Sequence, residues 1–89
     1  MAWRIEDSNA AQNDLGGFDR QIAVRIFRFL NERVAPLDDP RSVGEPLRGP
    51  ILRRYWKYRV GDYRIVADIQ DGLLQILVVR IGNRRDVYR

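Results

Sequence analysis

The sequence lacks cysteine and histidine, and Lys57 is the single lysine among its 16 basic residues. Without cysteine, neither a disulfide framework nor a thiolate metal site can form. Without histidine, the commonest metal ligand and the commonest general base are both missing. Arginine stays protonated at any ordinary pH, so the 15 arginines can bind phosphate but are poor general bases.

Long apolar runs are also missing. No stretch approaches the roughly 20 apolar residues of a membrane-spanning helix, and residues 1–6 do not resemble the apolar part of a signal peptide. We therefore expect a cytoplasmic protein with no membrane partner. The 89 residues predict one small domain, 1–89, with enough hydrophobic residues, 45%, to form a core.

The charges are divided unevenly along the chain. Residues 1–47 contain six arginines and eight acids, whereas residues 48–89 contain ten cations and four acids. A polyanionic partner for the second half would explain this division. A merely solubilising surface charge is the alternative.

Aromatic and cationic residues are concentrated in residues 55–64, Tyr-Trp-Lys-Tyr-Arg-Val-Gly-Asp-Tyr-Arg. Side chains alternate between the two faces of a strand. Trp56 and Tyr58 would then face the core, and Tyr55, Lys57 and Arg59 would share the opposite face. The stretch therefore predicts a hairpin, turning at Gly61-Asp62, with one apolar and one cationic face.

The segments before this hairpin predict a strand and two helices. Residues 3–6 favour a short strand, and Asp7 or Ser8 can cap a helix that ends at Gly16-Gly17. Apolar residues at every fourth position, starting at Ile22, predict a second helix from Asp19 to about Ala35. The two helices should form a hairpin that covers a sheet.

Four prolines between Pro36 and Pro50 predict an ordered loop without regular helix or strand. Three strands then follow, at about 54–60, 63–70 and 73–81. The dipeptide Asp71-Gly72 predicts a two-residue hairpin turn between the last two strands. The expected fold is α+β, β-α-α-β-β-β, with a largely antiparallel four-stranded sheet packed against the helical hairpin.

Four motifs in this order resemble those of the RelE toxins, within the RelE/ParE superfamily of bacterial type II toxin–antitoxin systems. The resemblance covers essentially the whole chain. The motifs are Asp-Asp-Pro-Arg at 38–41, Gly-Glu-Pro-Leu-Arg-Gly at 44–49, the hairpin segment 56–65 and the tail 81–88. The hairpin and the Arg-Arg-Asp-Val-Tyr of the tail, at their separation, are the specific pair.

The resemblance implies a microbial RNase-type fold and an endoribonuclease that cleaves mRNA in the ribosomal decoding site. No metal or other cofactor is implied, because the ribose 2′-OH attacks the adjacent phosphate. A RelB-like antitoxin would neutralise the toxin. The toxin–antitoxin complex, rather than the toxin alone, would bind operator DNA.

The resemblance also implies site residues. Lys57, Arg64, Arg84 and Tyr88 occupy the positions of the family's catalytic residues. Arg59 and Arg64 suit phosphate clamping, Arg84 suits charge stabilisation and leaving-group protonation, and Tyr88 suits stacking or hydrogen bonding near the phosphate. Additional RNA-binding residues are expected at five positions: Tyr55, Arg59, Arg54, Arg48 and Arg85. Cross-strand ion pairing with Asp62, Asp68 or Asp86 is the alternative for the arginines.

The general base is the position where this sequence departs from its relatives. Many of them have histidine just after the tail glycine, where Asn83 stands here, and others have a pair of lysines, of which this chain keeps Lys57 and replaces the other with Tyr55. Lys57 and Tyr55 are the leading candidates, with Asp86 behind them. Neighbouring like charge should favour loss of the lysine proton.

Two other functions remain open. A ParE-like toxin has the same fold but inhibits DNA gyrase and lacks a nuclease site; the tail tyrosine, Tyr88, favours the nuclease. A catalytically inactive relative that only binds its antitoxin or a nucleic acid would be indifferent to Lys57 and Tyr88.

Overall fold

A computed structural model describes residues 2–50, 52 and 54–85 of the chain. The helical elements on one side of the sheet are α1 (Asn9–Gly16) and α2 (Arg20–Arg28), and α2 continues as a π-helical turn over Phe29–Val34. The sheet consists of five strands: β1 (Arg4–Asp7), β2 (Glu45–Pro46), β3 (Tyr55–Val60), β4 (Tyr63–Gln70) and β5 (Gln75–Asn83).

The strand order is β1-β5-β4-β3-β2. The pairs β2–β3, β3–β4 and β4–β5 are antiparallel, and β1 is parallel to β5. The predicted α+β class and the largely antiparallel sheet are confirmed. The number of strands was wrong, because four were expected and five are present.

The additional strand is β2, which lies in the proline-rich segment that was expected to contain no regular structure. A 3-10 turn, Pro40–Val43, leads into β2, where Glu45 pairs with Lys57 and Pro46 with Trp56. Proline is compatible with an edge strand because only one side of such a strand needs its backbone donors. The proline content therefore did not exclude a two-residue strand.

The core lies between the helices and one face of the sheet. Tyr58, Ile65 and Ile76 are buried from the strands, and Ile26 and Leu30 are buried from the helical side. The alternation predicted for β3 and β4 is confirmed, since Tyr58, Val60, Ile65, Ala67 and Ile69 all lie in this core. The opposite face of the hairpin is left for the cations.

The ends of α1 follow from its flanking residues. Ser8 Oγ accepts a hydrogen bond from the Ala11 amide at 3.1 Å, as an N-cap should, and donates to the Val79 carbonyl at 2.8 Å. The second helix extends as far as predicted, but its last turn is π-helical. Asp19 precedes this helix without a capping hydrogen bond from its side chain.

The two hairpin turns had different outcomes. Val60 pairs directly with Tyr63, which confirms the Gly61-Asp62 turn, and Gly61 has a positive φ of 58°. The second connection is not a two-residue turn: Asp71–Leu73 forms a 3-10 turn, and the left-handed residue is Leu74, with φ 48°. No helix within the described ranges is both long and apolar enough to cross a membrane.

Candidate functional site

Three of the predicted site residues lie together on the face of the sheet opposite the helices. Arg59 on β3 is directly opposite Arg64 on β4, and Lys57 is opposite Val66. Like charges directly opposite each other destabilise a strand pair. The Arg59–Arg64 pair is therefore a feature that sheet stability does not explain.

The Arg64 side chain is held by backbone rather than by an acid. Its Nη1 donates to the Gly61 and Tyr63 carbonyls, both at 3.0 Å. A guanidinium has five N–H donors, so these two bonds fix the group at the β3–β4 turn and leave three donors for a ligand. This is a suitable arrangement for binding two oxygens of a phosphate.

The Lys57 side chain lies beside a carboxylate that the sequence did not indicate. Glu45 Oε2 is 3.8 Å from Lys57 Nζ, because β2 places the two residues opposite each other. The surroundings of the lysine are therefore not uniformly cationic. The sequence permits an edge strand at Glu45-Pro46 but does not show which strand it would join.

Arg54 and Tyr55 form a small cluster at the start of β3. Arg54 Nη2 donates to Asp68 Oδ2 at 2.9 Å, and its guanidinium lies 5.1 Å from the centre of the Tyr55 ring. Asp68 is opposite Tyr55 in the register. Arg54 therefore forms a cross-strand ion pair, which was the alternative expected for the arginines.

The tail begins next to the β3–β4 turn. The Arg84 amide donates to the Asp62 carbonyl at 2.9 Å, which brings residue 84 to the same end of the sheet as Arg64. The Arg85 amide donates to Asn83 Oδ1 at 3.1 Å, and both arginines are exposed. Arg48 is exposed in the loop after β2. Tyr88 and Asp86 lie outside the described residues.

Other arginines hold the fold together. Arg41 donates to both carboxylate oxygens of Asp71, at 3.1 and 2.6 Å, and lies 5.9 Å from the Trp56 ring. The hydrogen bonds from Arg41 hold the pKa of Asp71 below its usual value. Arg80 makes a similar fork on Asp14, at 2.9 and 3.2 Å. The first ion pair connects the 3-10 turn before β2 to the β4–β5 connection, and the second connects β5 to α1.

Asp14 also accepts a hydrogen bond from the Ile81 amide at 2.8 Å. Burial raises the pKa of Asp14, but the bonds from Arg80 and the Ile81 amide outweigh this effect, and the pKa is lowered overall. Among the described residues, no group of three or more acidic, histidine or cysteine side chains is placed to hold a metal ion.

This combination of an α+β fold and a cationic sheet face belongs to a known class of bacterial toxins. The chain matches the family described as "ParE toxin of type II toxin-antitoxin system, parDE" over residues 5–88. It is 30% identical to "Toxin RelE" of Mycobacterium tuberculosis over 87 residues, which cover 98% of this chain and 87% of that protein. The chain belongs to the RelE/ParE superfamily and is a RelE-family toxin of a type II toxin–antitoxin system.

Further comparisons show similarity in sequence or in fold over nearly the whole chain. "Toxin RelG" of the same organism is 26% identical over 89 residues, which cover all of this chain and 99% of that protein. The toxin–antitoxin complex RelBE2 of M. tuberculosis contains a chain with a TM-score of 0.84 and 24% identity, covering 97% of this chain and 95% of that one. The E. coli RelBE complex gives a TM-score of 0.70 at 18% identity, with 92% and 96% of the two chains covered.

Proposed function

We propose that this toxin is a ribosome-dependent, metal-independent endoribonuclease that cuts mRNA in the decoding site and thereby inhibits translation in the cytoplasm. The observation that carries the proposal is the Arg59–Arg64 pair, next to Lys57 and beside the start of the tail. Two arginines that are directly opposite each other in the sheet, neither of them in an ion pair with a described residue, suit a bound phosphate.

The proposed reaction needs a base, charge stabilisation and a proton for the leaving group. The base removes the proton of the ribose 2′-OH, the 2′-oxygen bonds to the adjacent phosphorus, and the bond from phosphorus to the 5′-oxygen breaks. The products are a 2′,3′-cyclic phosphate and a 5′-OH. Arg59 and Arg64 hold the phosphate oxygens, and Arg84 stabilises the developing charge or protonates the leaving oxygen.

Lys57 is the base that we favour, with Tyr55 and Asp86 as the other candidates from the sequence. The position of Glu45, 3.8 Å from Lys57 Nζ, adds a carboxylate to the groups that can act there. Tyr88 is assigned to stacking or hydrogen bonding near the phosphate. Tyr55, Arg54, Arg48 and Arg85 are assigned to RNA binding around this centre.

We further propose that a RelB-like antitoxin neutralises the toxin and that their complex binds operator DNA. Two of the solved relatives are described as RelBE toxin–antitoxin complexes, which supports an antitoxin partner of this kind. A toxin with an open cationic face also needs a partner that covers it in the cell.

Primer extension on mRNA paused in ribosomes tests the proposal. Wild-type toxin should cut at the decoding site, and Arg64→Ala should abolish the cut. Arg4→Ala removes an arginine that is paired with Glu6 at 3.7 Å, away from the site, and serves as the matched control. Absence of cleavage by the wild type, in cells that are still poisoned, would reject the nuclease.

A ParE-like gyrase inhibitor is the second candidate, because the matching family carries the ParE name. A DNA supercoiling assay with purified gyrase separates it from the nuclease. Inhibition of supercoiling that Arg64→Ala does not relieve would favour the gyrase function. An inactive antitoxin-binding relative would fail both assays and tolerate Lys57→Ala in cells.

A further inference from the structure

The described arginines include two groups that differ in their pairing with acids. Four of them lie within 4.0 Å of a carboxylate: Arg4, Arg41, Arg54 and Arg80. The arginines of the second group have no ion pair with any described residue. They lie on α2, on its π-helical end and at the end of β3. The members of this group, which we call the α2 arginines, are Arg20, Arg25, Arg28, Arg33 and Arg59.

The α2 arginines line one continuous groove, hereafter the α2 groove. It consists of two adjoining cavities that share Arg25 and Arg28. The first cavity also contacts Arg20 and Val24, near the start of α2. The second contacts Arg33, Arg59 and Gly61, so the groove extends from the outer side of α2 to the β3–β4 turn.

Gly61 permits this arrangement. A Cβ atom at residue 61 would lie 3.0 Å from Arg25 Nη1, and φ at this position is 58°. The glycine therefore both forms the turn and lets the Arg25 guanidinium lie against it. The turn that positions Arg64 also forms the wall of the α2 groove.

The α2 groove is connected to the proposed cleavage site through Arg59. This residue lines the groove and is also opposite Arg64 in the sheet. The described pairing of β2 with β3 covers Trp56 and Lys57 but not residues 58–60. Arg59 therefore lies where the groove meets the uncovered end of β3, next to Arg64 of the proposed site.

The charges of the groove favour a polyanion. Glu32 is the single acid among the residues that line its described part, against the five arginines. Guanidinium groups match the geometry of phosphate oxygens. An amphipathic protein helix would need a row of apolar anchor sites. Of the two exposed apolar residues of α2, Val24 lines the groove and Phe27 does not. Phe29 packs edge-on against Tyr58.

We propose that the α2 groove binds the phosphate backbone of the RNA strand being cut, in the nucleotides beyond the scissile site. This inference rests on the proposed nuclease function. It assigns to α2 a second role besides covering the core. Nucleotides that reach the groove should strengthen binding without contributing to the chemical step.

Binding of RNA oligonucleotides of increasing length, measured by fluorescence anisotropy, tests the inference. A 2′-O-methyl group at the cut position prevents attack, so binding is measured without cleavage. Wild-type affinity should rise with the length of the strand. The double variant Arg25→Gln/Arg28→Gln should remove this rise, so that it binds the long strand about tenfold more weakly than the wild type does. The slope of log K against log salt should become shallower by roughly 0.7 for each phosphate of the single strand that an arginine no longer neutralises.

The single variants Arg28→Gln and Arg4→Gln form a matched pair, because each removes one exposed positive charge. Arg28→Gln should weaken binding of the long strand alone, and Arg4→Gln should leave all lengths unchanged. Circular dichroism and thermal melting of each variant check that the fold is retained.

Three results would overturn the inference. The first is that the double variant binds the long strand as tightly as the wild type does. The second is that the double variant loses equal affinity for short and long strands. The third is that the wild type binds no strand. An acidic peptide that bound the wild type and not the double variant, with RNA binding unchanged, would assign the α2 groove to a protein partner. In each case ribosomal cleavage by the wild type still decides the nuclease function separately.

Discussion

Tyr58 Oη donates a hydrogen bond of 2.7 Å to the carbonyl of Pro40 within the core. The side chain is 1% exposed, and burial raises its pKa to about 12. The bond fastens the 3-10 turn that leads into β2. Since β2 carries Glu45 to Lys57, a residue of the hydrophobic core positions the carboxylate of the candidate site.

Tyr58→Phe removes this donor and leaves the Pro40 carbonyl without it. We expect the free energy of unfolding to fall by about 1–3 kcal/mol, the cost of an unsatisfied buried polar group. Urea unfolding followed by fluorescence measures this change. Tyr55→Phe is the control, because no described residue bonds to the Tyr55 hydroxyl; an equal loss in both variants would contradict the role of the bond.

Gly44 should not tolerate a side chain. A Cβ at this position would lie 2.9 Å from Tyr58 Cε1 and 3.2 Å from the Lys57 carbonyl oxygen. We expect Gly44→Ala to destabilise the protein by about 1–3 kcal/mol, as overpacking of a core does.

Gly16→Ala is the matched control for Gly44→Ala. A Cβ at residue 16, at the end of α1, meets no atom within 4 Å. The alanine should be neutral there or should stabilise by roughly 0.4–1 kcal/mol, through lower entropy of the unfolded chain. Similar denaturation midpoints for the two variants would show that the close contact of Gly44 with Tyr58 and the Lys57 carbonyl does not limit stability.

A double-mutant cycle distinguishes the roles of Lys57 and Glu45. If Lys57 is the base, Lys57→Ala should lower single-turnover cleavage on programmed ribosomes by ~10²-fold or more. Glu45→Gln should lower it less than tenfold, and the double variant should match Lys57→Ala, because Glu45 acts through the lysine. Full loss in Glu45→Gln, with Lys57→Ala active, would give the base role to the carboxylate.

Acid should weaken the protein through Asp14 and Asp71. The pKa of each carboxyl is lower in the folded chain than the value of about 3.9 in an unfolded one. A lowered pKa contributes stability above the unfolded value, and this contribution is lost as the pH falls through the folded value. We therefore expect the stabilising contribution of these two carboxyls to be lost as the pH drops below about 4.

Asp14→Asn tests this pH dependence. The variant should be less stable than the wild type at pH 7, where the ion pair with Arg80 is formed, and the difference should shrink towards pH 3. Asp19→Asn is the control, since Asp19 caps no helix with its side chain. A difference between wild type and Asp14→Asn that does not change with pH would contradict the linkage.

Local patterns in the sequence were sufficient for most of the fold. The period-two alternation of residues 55–70 and the Gly61-Asp62 turn predicted the β3–β4 hairpin because both depend on neighbouring residues. The same alternation placed Lys57, Arg59 and Arg64 on one face. These residues remain the centre of the proposed site.

Features that depend on distant residues were not predictable in this way. Glu45 is beside Lys57 because β2 joins the edge of the sheet, and nothing within residues 44–49 shows where that edge will be. Leu74, not Gly72, adopts the left-handed conformation; Asp71–Leu73 forms a 3-10 turn, and Asp71 accepts hydrogen bonds from Arg41 of a distant segment.

The parallel pairing of β1 with β5 joins residues that are 71 positions apart, such as Arg4 and Gln75. β5 also lies between β1 and β4, so β1 is joined to the rest of the sheet through the last of the five strands to be synthesised. Contacts of such long sequence separation form late and slow folding. The first strand of the chain therefore cannot take its place in the sheet until the last of the five strands has been synthesised, so the sheet is completed late in synthesis.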